Sequence, residues 1–207
     1  MKIKPSNKIF TWYYYVIIVV ILIVGSLATL YTYKSTAENT QKTLLKDVAS
    51  IAIAFEVEDI LSLRGDETDL NNPVYLSLKN KLTEIRAVNE EVRFVYFLGY
   101  RNEQVLFYAD SEPDTSEDYS PPGQIYEEAT DLDIEILKGL KNEGIEFNTD
   151  RWGSWLTSLV SIKHEGKVIA VLGMDMSAER YFRNLYTHMS IPIISTIFVL
   201  LLIFIGF

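Results

Sequence analysis

The sequence predicts an α+β domain, built on one antiparallel sheet, between two transmembrane helices. Residues 12–33 and 190–207 carry no charge, and about 20 apolar residues are enough to cross a bilayer as a helix. Between them, helical patterns come first and strand hairpins follow, which is the order typical of an α+β fold. The domain between the spans is 34–189.

The first apolar run, Trp12–Tyr33, follows lysines at positions 2, 4 and 8. Basic residues beside a span stay in the cytoplasm. We therefore expect a cytoplasmic tail at 1–11 and an extracytoplasmic domain held in the cell (inner) membrane. A cleaved signal peptide is the alternative, because Ser26-Leu27-Ala28 resembles a cleavage site. The apolar run continues past Ala28 and so favours an uncleaved anchor. We expect the second span, 190–207, to be cut short where the sequence ends.

Composition excludes several classes of function. The chain has 207 residues, a formal net charge of −9 and no cysteine. All 28 acidic residues lie in 34–189 with 16 of the 19 basic ones, since three lysines precede the first span, so this region carries about −12. That balance argues against nucleic-acid binding. Disulfides and thiolate metal sites are excluded, and His164 and His188 lack the spacing of a zinc site. We expect no metal and no cofactor.

Two helices are predicted before the strands. Residues 34–63 contain no proline or glycine, and one apolar stripe recurs at helical spacing, namely Leu44, Val48, Ile51 and Phe55. The stripe is suited either to a homodimer or to packing on its own domain, and both readings stay open. Asn72-Pro73 begins a second helix, to about Asn89, because asparagine caps a helix and proline suits its first turn.

Two hairpins supply the predicted strands. Val92–Tyr100 turns at Arg101-Asn102-Glu103 into Gln104–Asp110, where strict alternation places Leu106, Tyr108 and Asp110 on one face. The second hairpin, within Asp150–Met176, turns at Lys163–Lys167. Between the hairpins lie a polar loop, Ser111–Gly123, and a helical stretch, Ile125–Leu140, with Asp131 or Asp133 as caps. After Met176, a last helix capped by Ser177 runs into the second span, where Pro192 introduces a kink.

This order of elements resembles the single Cache domains, which are PAS-like extracytoplasmic sensor domains of bacterial and archaeal transmembrane receptors. The resemblance covers 34–189 and both spans. It is carried by the long helix after the first span and by the segments VRFVYFLGYRNEQVLFYAD, YSPPGQIYEEAT, WGSWLTSLVSI and GKVIAVLGMDMSAE. It implies a PAS-like antiparallel sheet with a long N-terminal helix. It also implies a ligand pocket over one face of the sheet, covered by Ser111–Thr130.

On this resemblance we nominate eight ligand-binding residues, because small pockets combine aromatic walls with a few polar groups. They are Tyr96, Tyr108, Asp110, Tyr126, Arg151, Trp152, Trp155 and Asp175. Arg151 is suited to a carboxylate and either Asp110 or Asp175 to an ammonium. The alternatives are structural: core packing for the tyrosines and Trp155, pairing with an acid for Arg151, and capping of the last helix for Asp175. On the pocket hypothesis, Trp152→Ala weakens the ligand response of a folded domain.

The sequence therefore predicts the ligand-sensing input module of a membrane-bound signal-transduction receptor. The output region is expected to be a histidine kinase of a two-component system, or else a diguanylate cyclase. The ligand is a small molecule, a carboxylate or amino acid. A membrane-anchored protein-docking module without a small ligand is the alternative, and an ectoenzyme using carboxylates is a weaker one. Because the sequence contains neither a G-x-S-x-G motif nor a glycine-rich phosphate loop, we expect no enzyme activity within this chain.

Overall fold

The computed structural model describes the backbone of residues 7–206 and the side chains from residue 12 onward. Lys2, Lys4 and Phe207 lie outside the described residues, as does the side chain of Lys8. The helices are α1 (Asn7–Ala52), α2 (Val57–Leu61), α3 (Pro73–Val88), α4 (Asp131–Leu137) and α5 (Ala178–Ile205), with a 3₁₀ turn at Glu67–Asn71. The strands are β1 (Val92–Arg101), β2 (Gln104–Asp110), β3 (Glu143–Asp150), β4 (Gly153–His164) and β5 (Lys167–Ser177).

The five strands form one antiparallel sheet in the order β2-β1-β5-β4-β3, which confirms the predicted fold class. Both predicted hairpins are present. Asn102 and Glu103 turn the first with positive φ angles of 50° and 62°, and Glu165 and Gly166 turn the second at 49° and 80°. Two successive positive φ angles match the right-handed twist of the strands that they join. β3, an edge strand paired with β4, was not predicted.

A β-bulge decides which residues of β2 face the pocket described below. Phe97 pairs with Ala109, but the next residue of β1, Leu98, pairs with Phe107. One residue of β2, Tyr108, is therefore extra, and strict alternation is lost. Phe107 and Asp110 consequently share the face of Tyr96. The predicted face of Leu106, Tyr108 and Asp110 is therefore wrong.

Tyr108 lies on the opposite side of the sheet, over two glycines. A Cβ atom on Gly99 would lie 2.1 Å from the Tyr108 ring, and one on Gly65 would lie 2.5 Å from it. On the same side, Phe97 contacts Phe55, with 4.8 Å between ring centroids. Helix α3 packs against β1 and β2, with Tyr75, Leu78 and Leu82 buried. Its predicted cap is confirmed, since Asn72 Oδ1 accepts a hydrogen bond from Val74 N at 3.0 Å.

The segment after β2 covers the pocket face. Its backbone bonds to β2 as a short extra strand would: Gly123 N donates to Phe107 O (2.8 Å), Phe107 N to Gln124 O (2.9 Å) and Tyr126 N to Val105 O (2.8 Å). The helix predicted at Ile125–Leu140 is shorter, because residues 123–126 take this extended course. Helix α4 begins only after Thr130, which forms a capping box with Asp133.

The long helix predicted to run to Leu63 ends at Ala52. The chain then turns, and Phe55 packs on Phe97 instead of continuing the helical stripe. Leu44, Val48 and Phe55 are at most 5% exposed within a single chain. These three side chains therefore pack within their own domain, while Ile51, the fourth member of the stripe, is only partly buried. Dimerisation itself stays a prediction.

The chain divides into two compact units. One is Thr40–Tyr181, the sheet domain, and the other combines the residues up to Asn39 with those from Phe182 onward. Helices α1 and α5 each contain a stretch that is long and apolar enough to cross a membrane. Within the second unit, Gly25 lies against Thr196, since an added Cβ would lie 2.2 Å from Thr196 Oγ1. Small residues of this kind let membrane helices approach closely.

Candidate functional site

A pocket opens between the sheet, the covering segment and the turn that joins β3 to β4. The space between its walls, including open solvent at the mouth, is about 330 Å³. All of its residues belong to the sheet domain. The lining consists of five aromatic residues, four aspartates and one serine: Phe94, Tyr96, Phe107, Tyr126, Trp152, Asp110, Asp118, Asp150, Asp175 and Ser120.

The aromatic wall is centred on Trp152. Its ring centroid lies 5.9 Å from that of Phe107, 6.2 Å from Tyr126 and 6.5 Å from Phe94. Phe107 also contacts Tyr96 at 5.7 Å, edge-on. Trp152 itself is only partly buried, and the tight turn after Asp150 places it at the rim. The wall therefore offers several π faces and edges around one small volume.

Asp175 lies at the base of the pocket, in the middle of the sheet. It pairs with Phe94 on β1 and with Thr157 on β4. Tyr96 Oη donates a hydrogen bond to Asp175 Oδ1 at 3.1 Å. Burial raises the pKa of Asp175 to about 8, although hydrogen bonds from Thr157 and Tyr96 oppose the rise. The same burial, together with the nearby Asp175 charge, raises the pKa of Tyr96 well above its ordinary value.

Asp110 fixes the covering segment to the end of β2. Its Oδ2 accepts a hydrogen bond from Ser120 N at 2.6 Å, and its Oδ1 accepts one from Glu112 N at 3.0 Å. Lys79 Nζ lies 3.4 Å from Oδ1. Burial raises the pKa of Asp110 to about 6, and the Ser120 hydrogen bond and Lys79 limit the rise.

Asp150 organises the turn that carries Trp152. Its Oδ1 accepts hydrogen bonds from Trp152 N, Gly153 N and Trp155 Nε1 at 2.9, 3.0 and 2.9 Å. A carboxylate that binds the backbone two residues ahead stabilises a tight turn. Tyr126 Oη donates to the other oxygen, Oδ2, at 3.2 Å. Burial, and then the Asp150 charge, raise the pKa of Tyr126 above its ordinary value.

An ionic network holds the outer part of the covering segment. Glu112 is buried and bonds both Arg86 of α3 and Arg93 of β1. Arg93 Nη2 also donates to Asp118 Oδ2 at 2.7 Å, and its guanidinium stacks on Phe94 with 4.3 Å to the centroid. The pocket residue Asp118 is therefore partly compensated by a neighbouring cation.

Arg151, at the rim, is paired within the domain. Its Nε and Nη2 donate to the two carboxylate oxygens of Glu128 at 2.8 and 2.6 Å. The Glu128 carboxylate raises the pKa of Arg151, and the guanidinium lies 5.0 Å from the Trp152 ring centroid. It therefore closes the edge of the pocket as an ion pair rather than presenting an open charge.

No family model and no curated protein matches the chain. Among solved structures, it is similar to the ligand-binding domain of the Campylobacter jejuni chemoreceptor Tlp3 in complex with L-valine. The identity is 19% and the TM-score 0.53, over 89% of this chain and 68% of that one. The Tlp3 sensory domain with isoleucine gives 18% and 0.52 over the same shares. The periplasmic domain of RsbU from Chlamydia trachomatis gives 13% and 0.50, over 80% of this chain and 56% of that one.

The chain shares the fold of these solved domains. At these identities the likeness establishes the fold alone, and the fold is the one that the Cache resemblance implied.

This fold brings together five of the eight nominated residues: Tyr96, Asp110, Tyr126, Trp152 and Asp175 all line the pocket. Trp155 and Arg151 lie beside it. Trp155 holds Asp150 and contacts Phe94 at 5.0 Å, and Arg151 stacks on Trp152. Tyr108 is not brought to the pocket, because of the bulge. Ligand binding by any of these residues stays a prediction.

Five lining residues were not nominated: Phe94, Phe107, Asp118, Ser120 and Asp150. Phe94 shares the predicted strand face with Tyr96, so alternation on β1 could have found it. Asp150 lies two residues before Trp152 and could have been found as a turn-forming aspartate. Phe107 depends on the bulge, and Asp118 and Ser120 depend on the folding of an irregular loop, for which the sequence offers no periodic signal.

Proposed function

We propose that the chain is the ligand-sensing input module of a membrane-bound receptor, with a small molecule binding between the sheet and the 111–130 segment. The observation that carries the proposal is the path of β5. This strand contributes Asp175 to the base of the pocket, and α5 begins at Ala178, directly after the last residue of β5. A ligand at Asp175 thus acts on the strand that leads into the second apolar helix.

The direction of signalling follows from the membrane arrangement that we propose. The N-terminus lies in the cytoplasm, the sheet domain lies outside, and α5 carries the signal inward. Ligand must favour one of two packings of the domain, since only a difference in affinity shifts an equilibrium. A small displacement of β5 then moves α5. The output is a histidine kinase, or else a diguanylate cyclase, and the sheet domain itself binds without catalysing a reaction.

The neighbouring structures support a small ligand, since two Tlp3 structures hold L-valine and isoleucine. The first experiment is a thermal-shift screen of the full chain in detergent micelles against amino acids, organic acids and amines. We expect at least one class to raise the midpoint of unfolding, because a ligand that binds the folded state stabilises it by mass action.

Two glycine variants distinguish a loss of ligand binding in the pocket from a general loss of stability. A Cβ on Gly173 would lie 2.3 Å from the ring of Tyr96, which lines the pocket, and one on Gly99 would lie 2.1 Å from Tyr108, on the other face. Both Gly173→Ala and Gly99→Ala should destabilise the fold by about 1–3 kcal/mol, since each displaces a packed ring. We expect only Gly173→Ala to lose the ligand-induced shift.

Two results would count against the proposal. If no compound in the screen shifts the midpoint, the chain is better described as a protein-docking module. If Gly99→Ala loses the ligand response and Gly173→Ala keeps it, the ligand binds on the opposite face of the sheet.

A further inference from the structure

The pocket has an excess of negative charge that the protein does not balance. Four carboxylates line it, and cations partly compensate two of them: Lys79 lies 3.4 Å from Asp110, and Arg93 bonds Asp118. Within residues 12–206, Asp150 and Asp175 have no ion-pair partner, and both accept hydrogen bonds from neutral donors only. Two carboxylates without a cation partner therefore line the same pocket, Asp150 on the turn and Asp175 at the base.

The cations near the pocket are already engaged, so a ligand carboxylate would meet none that is free. Arg151 is held by both oxygens of Glu128. Arg93 is shared between Asp118 and Glu112, and Lys79 donates to Glu112 O at 2.5 Å besides its contact with Asp110. No arginine or lysine is among the residues that line the pocket in the described part of the chain. A ligand carboxylate would add negative charge to a site that already holds an excess of it.

The uncharged part of the lining suits a cation equally well. Five aromatic rings surround the space, with Trp152 contacting three of them. The face of an aromatic ring attracts a positive charge, most strongly in tryptophan, and such rings together recognise ammonium groups. The aromatic wall and the carboxylates are independent features of the lining, and both favour the same charge.

We propose that the pocket takes a small organic ammonium ion that carries no carboxylate, held between Asp150 and Asp175 beside the rings of Trp152 and Tyr126. This inference rests on the proposed function, since it names the class of ligand for the same pocket. It departs from the sequence prediction, which expected a carboxylate or amino acid. Burial raises the pKa of Asp175 to about 8, so this carboxyl is largely protonated in the empty pocket near pH 7, and a bound ammonium ion would favour its charged form.

The test uses three molecules that share the isobutyl skeleton. Isobutylamine is valine without its carboxylate, and isovalerate is valine without its amine. Binding of each to the full chain in detergent micelles is measured by isothermal titration calorimetry at pH 7.5, with ethanolamine and choline as further amines. We expect isobutylamine to bind at least about tenfold more tightly than L-valine, because the carboxylate of L-valine would be repelled by the acidic lining and would meet no free cation. We expect isovalerate not to bind.

Matched variants locate the interaction. Asp150 Oδ1 accepts from the backbone N–H two residues ahead, and Asp66 Oδ1, outside the pocket lining, does the same with Thr68 N at 2.9 Å. Asparagine keeps this acceptor and removes the charge. We expect Asp150→Asn to weaken isobutylamine binding at least about tenfold and Asp66→Asn to leave it unchanged. Asp175→Asn is a second pocket variant, used if Asp150→Asn fails to fold.

The outcomes distinguish this inference from the function on which it rests. Tighter binding of L-valine or isovalerate than of every amine overturns the ammonium class and leaves the sensor proposal intact. Equal binding by Asp150→Asn and Asp66→Asn overturns the placement at Asp150. If none of the three amines binds while any amino or organic acid binds in the wider screen, the ammonium class is also overturned. If no compound binds, both proposals are contradicted.

Discussion

At the scale of single residues, the least expected feature is a carboxylate in the centre of an antiparallel sheet. Asp175 is 4% exposed and lies among residues of β5 that are buried and mostly apolar. A buried charge without a partner is costly, so the group remains protonated to a higher pH than in water. The sequence nominated Asp175 for ligand binding or for capping the last helix, and in the structure it faces the pocket with Tyr96.

The raised pKa of Asp175 predicts how stability depends on pH. Its value in the folded chain, about 8, lies above the ordinary 3.8. Between these values the folded state binds more protons than the unfolded state, so this group makes stability fall as the pH rises from about 4 to 8. Asp175→Asn removes that titration and keeps an acceptor for Tyr96. As the pH rises from 5 to 8, we expect the free energy of unfolding of the variant to increase relative to that of the parent chain, by on the order of 2 kcal/mol.

Thermal unfolding in detergent at several pH values measures this difference. Glu84→Gln is the control, because that side chain is exposed on α3 and its loss should leave the pH profile of the parent chain unchanged. Asp110 and Asp133, whose pKa values burial also raises to about 6, remain in all three proteins. Parallel profiles for Asp175→Asn and the parent chain would show that Asp175 ionises normally.

Neighbouring positions on β2 show where prediction from sequence fails. Alternation is a reliable guide along β1, where Phe94, Tyr96 and Leu98 share a face as predicted. On β2 the bulge inserts one residue, and the pocket receives Phe107 in place of Tyr108. A bulge reflects pairing between two strands, and neither strand alone records it. The glycines opposite Tyr108 accommodate the displaced ring, but they become informative only once the pairing is known.

At the scale of elements, the covering segment is held at its start by a buried acid. Glu112 is bonded by Arg86 and Arg93, Ser116 Oγ donates to it at 2.8 Å, and its carbonyl accepts from Lys79. These contacts join the segment to α3 and β1. The segment therefore has a specific attachment beside the pocket that it covers.

Glu112→Gln is expected to loosen this segment. The substitution leaves two arginines without their shared carboxylate, and breaking a partly buried pair costs about 1–3 kcal/mol once the exposure of the arginines is taken into account. We expect lower thermal stability and faster backbone hydrogen exchange in residues 113–122, measured by mass spectrometry. Glu117→Gln, on the same segment but exposed, should change neither quantity. Unchanged exchange in Glu112→Gln would mean that Asp110 and the ladder to β2 hold the segment without the arginines.

The boundaries of elements were harder to predict than their existence. Helix α3 begins at its predicted cap because the signal is local: an asparagine followed by proline. The stretch 125–140 has helical residues, but its first part forms backbone hydrogen bonds with the edge of β2, and tertiary pairing overrides propensity there. β3 was missed because it is an edge strand with glycine and partly exposed residues, and it lacks the apolar alternation that identifies a strand.

At the scale of the whole molecule, the order of elements carried most of the predictable information. Two apolar helices, helices before strands and two hairpins joined by a loop sufficed for the fold class, because each signal is local and the topologies that join them are few. The chemistry of the pocket was less accessible. Five of the eight nominated residues line the pocket. The sequence could not show, however, that Arg151 is already paired with Glu128, because such ion pairs form only in the folded chain.

The excess of acidic residues in the domain should make its thermal stability depend on salt. The region 34–189 carries 28 acidic and 16 basic residues, and such an excess destabilises a compact state through self-repulsion that salt screens. We expect the thermal midpoint in detergent to rise by about 2–4 °C between 10 and 300 mM NaCl, the shift that corresponds to about 1 kcal/mol in a domain of this size. Glu67, exposed on the 3₁₀ turn, provides a graded control. At low salt, Glu67→Gln should raise the thermal midpoint and Glu67→Lys should raise it further, whereas at high salt both should change it hardly at all. A higher midpoint that persists at 300 mM NaCl would have a local cause rather than the net charge.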